Sequence, residues 1–298
     1  MESTKNWIEY ILTRLIKISG YSAIIFVLMI FYFLLREGLP AIGEVSFANL
    51  ISIRWYPIEN YFGLLPLIGG SLIVTLGAAI FAIPIGICTA VFIAEVAPRW
   101  ARDILKPLVE VLGGIPSVVL GFLGILILAP ALRRLLDLPT GLTAMAGSIL
   151  LGGIAIPTIV SVAEDALDSV PRSYRDAALA LGATQWQTIW RVTLPAARSG
   201  VLTAIMLGIG RAIGETIAVM MVSGNAAVIP VKWNSFFLPV RTMTATIAAE
   251  MGEVAKNSTH YHVLFFIGLV LFLISLGINI AASSAVFVQR RRAERILS

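Results

Sequence analysis

Arg211 and Glu215 are ionisable residues in an otherwise apolar run, Gly208-Ile209-Gly210-Arg211-Ala212-Ile213-Gly214-Glu215-Thr216. Residues four apart share one face of a helix. A charge at a bilayer centre costs about 2.5 to 3.5 kcal/mol even on the lenient insertion scale, so the pair must face a bundle interior or a watery path. Two roles fit. One is a self-neutralising ion pair that holds the fold. The other is an anion or gating site, in which the arginine fork meets a phosphate-like oxyanion. Glu215 would repel a tightly held anion, which for the second role favours transient contact or gating. The glycines are no dinucleotide fingerprint, because the spacing is G-x-G-x-x-x-G and no strand precedes it. Gly210 and Gly214 read instead as a small-xxx-small face for close helix packing.

The segment 164–198 is the second place where residue types and spacing suggest work. Its charges balance, with Glu164, Asp165, Asp168 and Asp176 against Arg172, Arg175, Arg191 and Arg198. Pro171 can open a helix, residues 174–181 are helix formers, and Gly182 suits a left-handed cap. A second piece, 185–192, presents Trp186, Ile189, Trp190 and Thr193 at helical spacing and is expected to stop at Pro195. A tether would be rich in Gly and Ser; this is a folded inner loop. No lysine follows a glycine anywhere, so the phosphate-cradling loop of an ATPase is absent and no ATP hydrolysis is expected here. His260 and His262 have no third ligand near in sequence, so a metal is not expected. One cysteine, Cys88, allows no internal disulfide.

These groups need elements to hold them, and composition says which. Hydrophobic residues make up 58% and charged ones 13%, against about a quarter charged in soluble domains. Mean hydropathy is +0.91. A soluble enzyme and a disordered chain are both excluded. The net charge of +5 is not gathered into a patch with stacking aromatics, so no nucleic-acid partner is expected. A bilayer core needs about 20 apolar residues per helix, and six stretches qualify: 18–35, part of the charge-free 60–94, 111–132, a stretch between Asp137 and Glu164, one after Arg198, and roughly 263–288. The early part of the second, with Gly63 and Pro66, is expected at the interface. The first is too long for a signal peptide, and no small-x-small site follows it.

Lys and Arg fix the orientation. Fourteen fall on inner segments and seven on outer ones, which places both termini in the cytoplasm, with Arg133 and Arg134 against the trend. Pro84 with Gly86, Gly113 and Gly114 with Pro116, and Gly152 and Gly153 with Pro157 predict a tight, kinked bundle. Glu110 reads as a solvated charge at the inner interface, and the arginines at 290–292 as an anchor on anionic lipid. In the outer loop 225–262, Met243, Ile247, Ala248 and Met251 recur at helical spacing beside Glu250 and Glu253. The chain divides into 1–60, a tail with the first span and an outer segment, and 61–298, a core of five spans.

Asp176-Ala177-Ala178, three residues, Gly182, nine residues, Val192, one residue, then Leu194-Pro195 resembles the EAA loop of ABC importer permeases, E-A-A-x3-G-x9-I-x-L-P. Asp176 for Glu and Val192 for Ile are conservative departures. Residues 210–219, followed by Ser223-Gly224-Asn225, are similar to a span of phosphate-import ABC permeases. So are Trp55-Tyr56-Pro57, Phe62-Gly63-Leu64-Leu65-Pro66 and Ile115-Pro116-Ser117-Val118-Val119-Leu120-Gly121. Ile217-Ala218-Val219 is similar to the PstC type, whereas the partner type continues after Gly-Glu-Thr with Ala-Pro. The resemblance covers about 55–279.

The resemblance implies an all-α integral membrane protein of type I ABC importer permease fold, with six transmembrane helices, in the cell inner membrane. It assigns Asp176, Ala177, Ala178, Gly182, Val192, Leu194 and Pro195 to coupling with a separate ATPase. Arg211, Glu215 and Thr216 fall to translocation or gating. Implied partners are a second permease of like fold, two ATPase subunits that bind ATP and Mg, and an external phosphate-binding protein; no cofactor is implied in this chain. A permease for molybdate or sulfate would share the docking loop. A secondary transporter or channel would need no ATPase.

Overall fold

The computed structural model describes residues 2–230 and 233–297, apart from the side chains of residues 2–9, 11, 233, 282 and 285–297. The expected lipid anchor at 290–292 therefore falls on side chains outside the described ones. The chain starts with the long α1 (Glu2–Gly38), then α2 (Pro40–Glu44) and α3 (Phe47–Leu50). A small hairpin follows, β1 (Trp55–Tyr56) antiparallel to β2 (Tyr61–Phe62). Next come α4 (Leu65–Val91), ending in a π-helical turn at Phe92–Val96, and the amphipathic α5 (Arg99–Gly113). The third apolar rod joins α6 (Ser117–Leu123), a π turn at Gly124–Leu128 and α7 (Ala129–Leu135). Then α8 (Ala144–Asp168) leads to the inner loop, made of α9 (Arg172–Ala180), α10 (Gln185–Thr188), a π turn at Ile189–Thr193 and α11 (Leu194–Ala196). The chain closes with α12 (Arg198–Gly214), α13 (Ile217–Val222), α14 (Met243–Glu250) and α15 (Thr259–Leu297).

Among the described residues, five stretches are long and apolar enough to cross a membrane: Leu12–Glu44, Leu65–Val96, Ser117–Leu135, Ala144–Asp168 and Thr259–Ala281. A sixth passes as a pair, Gln185–Ala196 and Arg198–Gly214, bent by 73° at its junction. The protein is thus a predominantly helical membrane protein, and three span ends differ from the sequence expectation. The third span starts at Ser117, not 111, because the helix stops at Gly113 and Pro116 caps the next one with φ −58 and ψ 132. A residue before proline is driven out of the helical region, and here that residue is Ile115. The fourth span runs past Glu164 to Asp168, so the inner loop proper starts later than 164. Glu164 is tolerated there because Lys106 Nζ lies 2.6 Å from its Oε2. The fifth span ends at Gly214, and Glu215 is extended.

Glycines set the core. Ser148 Oγ donates to the Val74 carbonyl at 3.2 Å, and a Cβ on Gly77 would strike Ser148. A Cβ on Gly86 would meet Ile159 Cγ2 at 2.7 Å. Partners advance together along both chains, so α4 and α8 run parallel, as two helices separated by one further crossing must. A Cβ on Gly208 would also strike Ile159, while Gly200 faces Ala166, so α12 runs antiparallel to α8. Ile159 is fully buried between the two glycine faces. Small residues at these crossings let the backbones approach where lipid supplies no hydrophobic drive. Gly210 and Gly214 play no such part among the described residues, since a Cβ on either meets nothing within 4 Å. By contrast α1 leans on α15 through Phe31 and Phe272, stacked at 5.2 Å, and its apolar window is otherwise unburied.

The end of the bundle away from the loop 171–195 is tied by one carboxylate. Glu250 accepts from Trp55 Nε1 at 3.1 Å and Arg241 Nη1 at 2.6 Å, and contacts His260 Nε2 at 2.8 Å. His262 turns elsewhere, with Nδ1 2.9 Å from the Glu37 carbonyl. Burial pushes the Glu250 carboxyl up, but hydrogen bonds to His260 and Trp55 and the Arg241 charge outweigh it, and its pKa lies below the ordinary 4.5. A depressed carboxyl contributes stability that is complete above the unfolded value and is lost as pH falls through the folded one. Thermal unfolding in detergent below about pH 4.5 should therefore show a falling midpoint that Glu250→Gln largely removes, from a lower start. Equal pH slopes in the two chains would overturn this assignment.

Candidate functional site

The inner loop begins where α8 ends. Pro171, at φ −56 and ψ 136, caps α9, and Gly182 ends it at φ +84. The Gly182 N–H donates to the Leu179 carbonyl at 2.9 Å and the Ala183 N–H to the Ala178 carbonyl at 3.1 Å. That pair of bonds is the Schellman arrangement, which needs a left-handed residue that glycine adopts without strain. Thr184 then opens α10 with a capping box: its Oγ1 accepts from the Gln187 N–H at 3.2 Å, and its own N–H donates to Gln187 Oε1 at 2.9 Å. Pro195 does not stop the chain as expected. It has no N–H to offer, the turn before it opens to π width with Leu194 donating to the Ile189 carbonyl, and the helix continues to Ala196.

The seven expected coupling residues divide into two groups. Asp176, Ala177 and Gly182 are exposed on α9 and its end, with Ala178 half-buried and Leu181 90% exposed beside them. Val192, Leu194 and Pro195 lie on the returning limb, where Leu194 packs on the core of Ile189, Ala197 and Val201. The first group forms an exposed tip; in the second, Leu194 holds the returning limb to the bundle while Pro195 stays exposed.

Behind the tip is a cleft of about 630 Å³ lined by Glu95, Arg102, Asp168, Arg175, Asp176 and Gln185. Arg175 crosses it to Glu95, with Nη2 2.6 Å from Oε1 and Nε 3.0 and 3.2 Å from the two carboxylate oxygens. Arg102 Nε donates to the Ile93 carbonyl at 2.9 Å and a second donor reaches the Ala94 carbonyl, which closes the π turn. Lys106 on α5 bonds Glu164 at 2.6 Å and Asp165 at 2.8 Å. The hydrogen bonds to Asp165 and Glu164 hold its ammonium above the ordinary lysine range. Sequence reading passed over Glu95, Arg102 and Lys106. The available signal was Glu95's place as the first charge after a long charge-free run.

In the membrane, the expected Arg211–Glu215 partnership is not formed. Arg211 Nη1 donates to Thr158 Oγ1 at 3.1 Å and Nη2 to the Gly113 carbonyl, the last residue of α5, at 3.0 Å. Glu215 Oε1 instead accepts from the Ala218 N–H at 3.3 Å, capping α13, and Thr216 Oγ1 donates to the Gly214 carbonyl at 3.2 Å. The physical reason is the break: after Gly214 the backbone turns extended, with ψ 127 at Glu215, which takes that side chain off the Arg211 face. Glycine is a poor helix former by about 1 kcal/mol, and a carboxylate at the start of the next helix satisfies its free N–H groups. Non-helical backbone at membrane depth survives only inside protein or beside a watery path. Arg211 is exposed at this break.

The description of one family, binding-protein-dependent transport system inner membrane component, matches residues 82–294. The chain belongs to this family. It is 42% identical over 228 residues to the probable ABC transporter permease protein YqgH of Bacillus subtilis strain 168, covering 76% of this chain and 73% of that one. It is 33% identical over 266 residues to the phosphate transport system permease protein PstC of Xylella fastidiosa strain Temecula1, covering 83% and 80%. Among solved structures, a bacterial alginate ABC transporter in complex with an alginate pentasaccharide-bound periplasmic protein matches at TM-score 0.62 and 17% identity, over 95% of this chain and 94% of that one. That likeness carries the fold alone. The permease is thus a multi-pass inner-membrane subunit of an ABC importer, and its relatives are transport permeases rather than enzymes.

Proposed function

We propose that this permease carries inorganic phosphate inward as one of two like subunits that form the path. Arg211 is the observation that favours it. Its guanidinium stands at a helix break, free of Glu215 and held by two neutral oxygens, so its charge is available to an oxyanion that passes. The likeness to a phosphate transport permease supports phosphate as the substrate. On this reading the tip at Asp176, Ala177, Ala178 and Gly182 docks on a separate ATPase that binds ATP and Mg, with two such subunits in the complex. An external phosphate-binding protein delivers at the outer surface. Closure of the ATPase pair pulls α9 and rocks the bundle, opening the region of Arg211, Glu215 and Thr216 to each side in turn.

The test is uptake of labelled phosphate, molybdate and sulfate into vesicles holding this chain, its partner permease and the ATPase, with binding protein outside and ATP inside or absent. Phosphate accumulation that requires ATP is the expected result. Preference for molybdate or sulfate would overturn the substrate and leave the docking loop. Flux without ATP would overturn the importer assignment for this chain's path.

A further inference from the structure

We propose that Glu95 is the positioning residue that ties the docking helix to α4, so that a pull on α9 is delivered to that span; this rests on reading α9 as the ATPase-docking element. The α9 helix has no fully buried residue, so packing alone cannot hold it. Arg175 does. Besides its fork on Glu95, its Nη1 donates to the Val170 carbonyl at 2.7 Å and Nη2 to the Leu167 carbonyl at 2.9 Å. Those two carbonyls belong to the end of α8 and the linker, so they fix α9 only to its own neighbours in sequence. Glu95 lies 80 residues away, on the π turn that ends α4.

Both limbs of the loop meet on this one residue. The Glu95 side chain takes Arg175 from α9, and its carbonyl accepts Gln185 Nε2 from α10 at 3.2 Å. The pair is sheltered, with 19% of the arginine and 9% of the carboxylate side chain exposed, so it is screened far less than a surface ion pair. A two-pronged guanidinium–carboxylate contact also fixes direction, which a lysine's point charge does not. The π turn that carries Glu95 is itself closed by Arg102 from α5, and the far end of α5 holds Arg211 through the Gly113 carbonyl. At 1.5 Å per residue, the stretch of α5 from Arg102 to Gly113 reaches about 16 Å from the cleft toward Arg211. A displaced Glu95 thus moves α4 directly and α5 through Arg102.

The experiment uses the whole complex in vesicles and reads phosphate taken up per ATP hydrolysed, with assembly checked by co-purification of the ATPase. Glu95→Gln is expected to assemble and lower that ratio at least about fivefold, the low end of a typical coupling free energy. Arg175→Lys should fall between it and the natural chain, and the exchanged pair Glu95→Arg with Arg175→Glu should recover part of the loss. A natural ratio in Glu95→Gln overturns the proposal. Should Glu95→Gln fail to assemble, a natural ratio in Arg175→Lys overturns it equally. Failure of the underlying reading looks different: the unaltered chain itself would then show no ATPase bound or flux without ATP.

Discussion

A Gly182→Val chain is expected to insert and fold yet transport at under about a tenth of the natural rate, with ATP hydrolysis no longer tied to uptake. Crowding is not the cause, because a Cβ at this position meets nothing within 4 Å. The cost lies in the backbone, where φ is +84. A left-handed conformation costs an ordinary residue about 1 to 2 kcal/mol, and a β-branched one is a genuine outlier there. The exposed chain can relieve that strain by releasing the Gly182 and Ala183 hydrogen bonds to Leu179 and Ala178, which unwinds the end of α9 and displaces Leu181. All of this happens at an exposed tip, so the bundle keeps its core and only docking geometry suffers. Gly182→Asn separates the two causes, since asparagine enters the left-handed region readily. It should keep most of the coupled uptake. If valine and asparagine transport alike, the left-handed turn is not what docking requires.

The turn at Gly182 was legible because its signal is local: a glycine directly after a run of helix formers. The apolar spans were legible for a similar reason, since about 20 residues without charge leave few alternatives. Their ends were not. Charges suggested a stop at Glu164, but the helix continues because Lys106, 58 residues earlier, neutralises that carboxylate. Arg211 and Glu215 failed as a pair for the opposite reason. Periodicity assumes an unbroken helix, and the break after Gly214 depends on Glu215 capping the next helix and on Thr244 Oγ1, which donates to the Glu215 carbonyl at 3.3 Å from α14. The bond of Arg175 to Glu95 spans 80 residues, and no spacing rule along the chain reaches that far. Gly210 and Gly214 matched a packing motif by spacing, but among the described residues a Cβ on either would meet nothing within 4 Å.

Arg211→Ala is expected to lower uptake at least about tenfold while the permease still assembles, and Glu215→Gln is expected to leave most of it. The asymmetry discriminates between the two roles that spacing alone allowed. Were the two residues a self-neutralising pair, removing either would strand the other's charge in the membrane, at a cost of about 3 to 5 kcal/mol when such a pair is buried. Both variants would then lose stability together. The observed bonds predict otherwise. Glu215 Oε1 serves only as an acceptor for the Ala218 N–H, and a glutamine carbonyl can accept the same bond. Arg211 holds two neutral oxygens, on Thr158 and Gly113, and its loss removes a positive charge from the break. Hydrogen bonds to a charged group contribute about 1.5 to 3 kcal/mol, a tenfold effect or more on an anion that depends on them. Arg211→Lys keeps the charge but cannot span both oxygens with one fork, so it should recover uptake only in part. Matched losses of uptake and thermal stability in Arg211→Ala and Glu215→Gln would restore the ion-pair role and remove Arg211 from the path. Loss of uptake in Arg211→Ala alone, at a natural unfolding temperature, would place its charge on the anion's route.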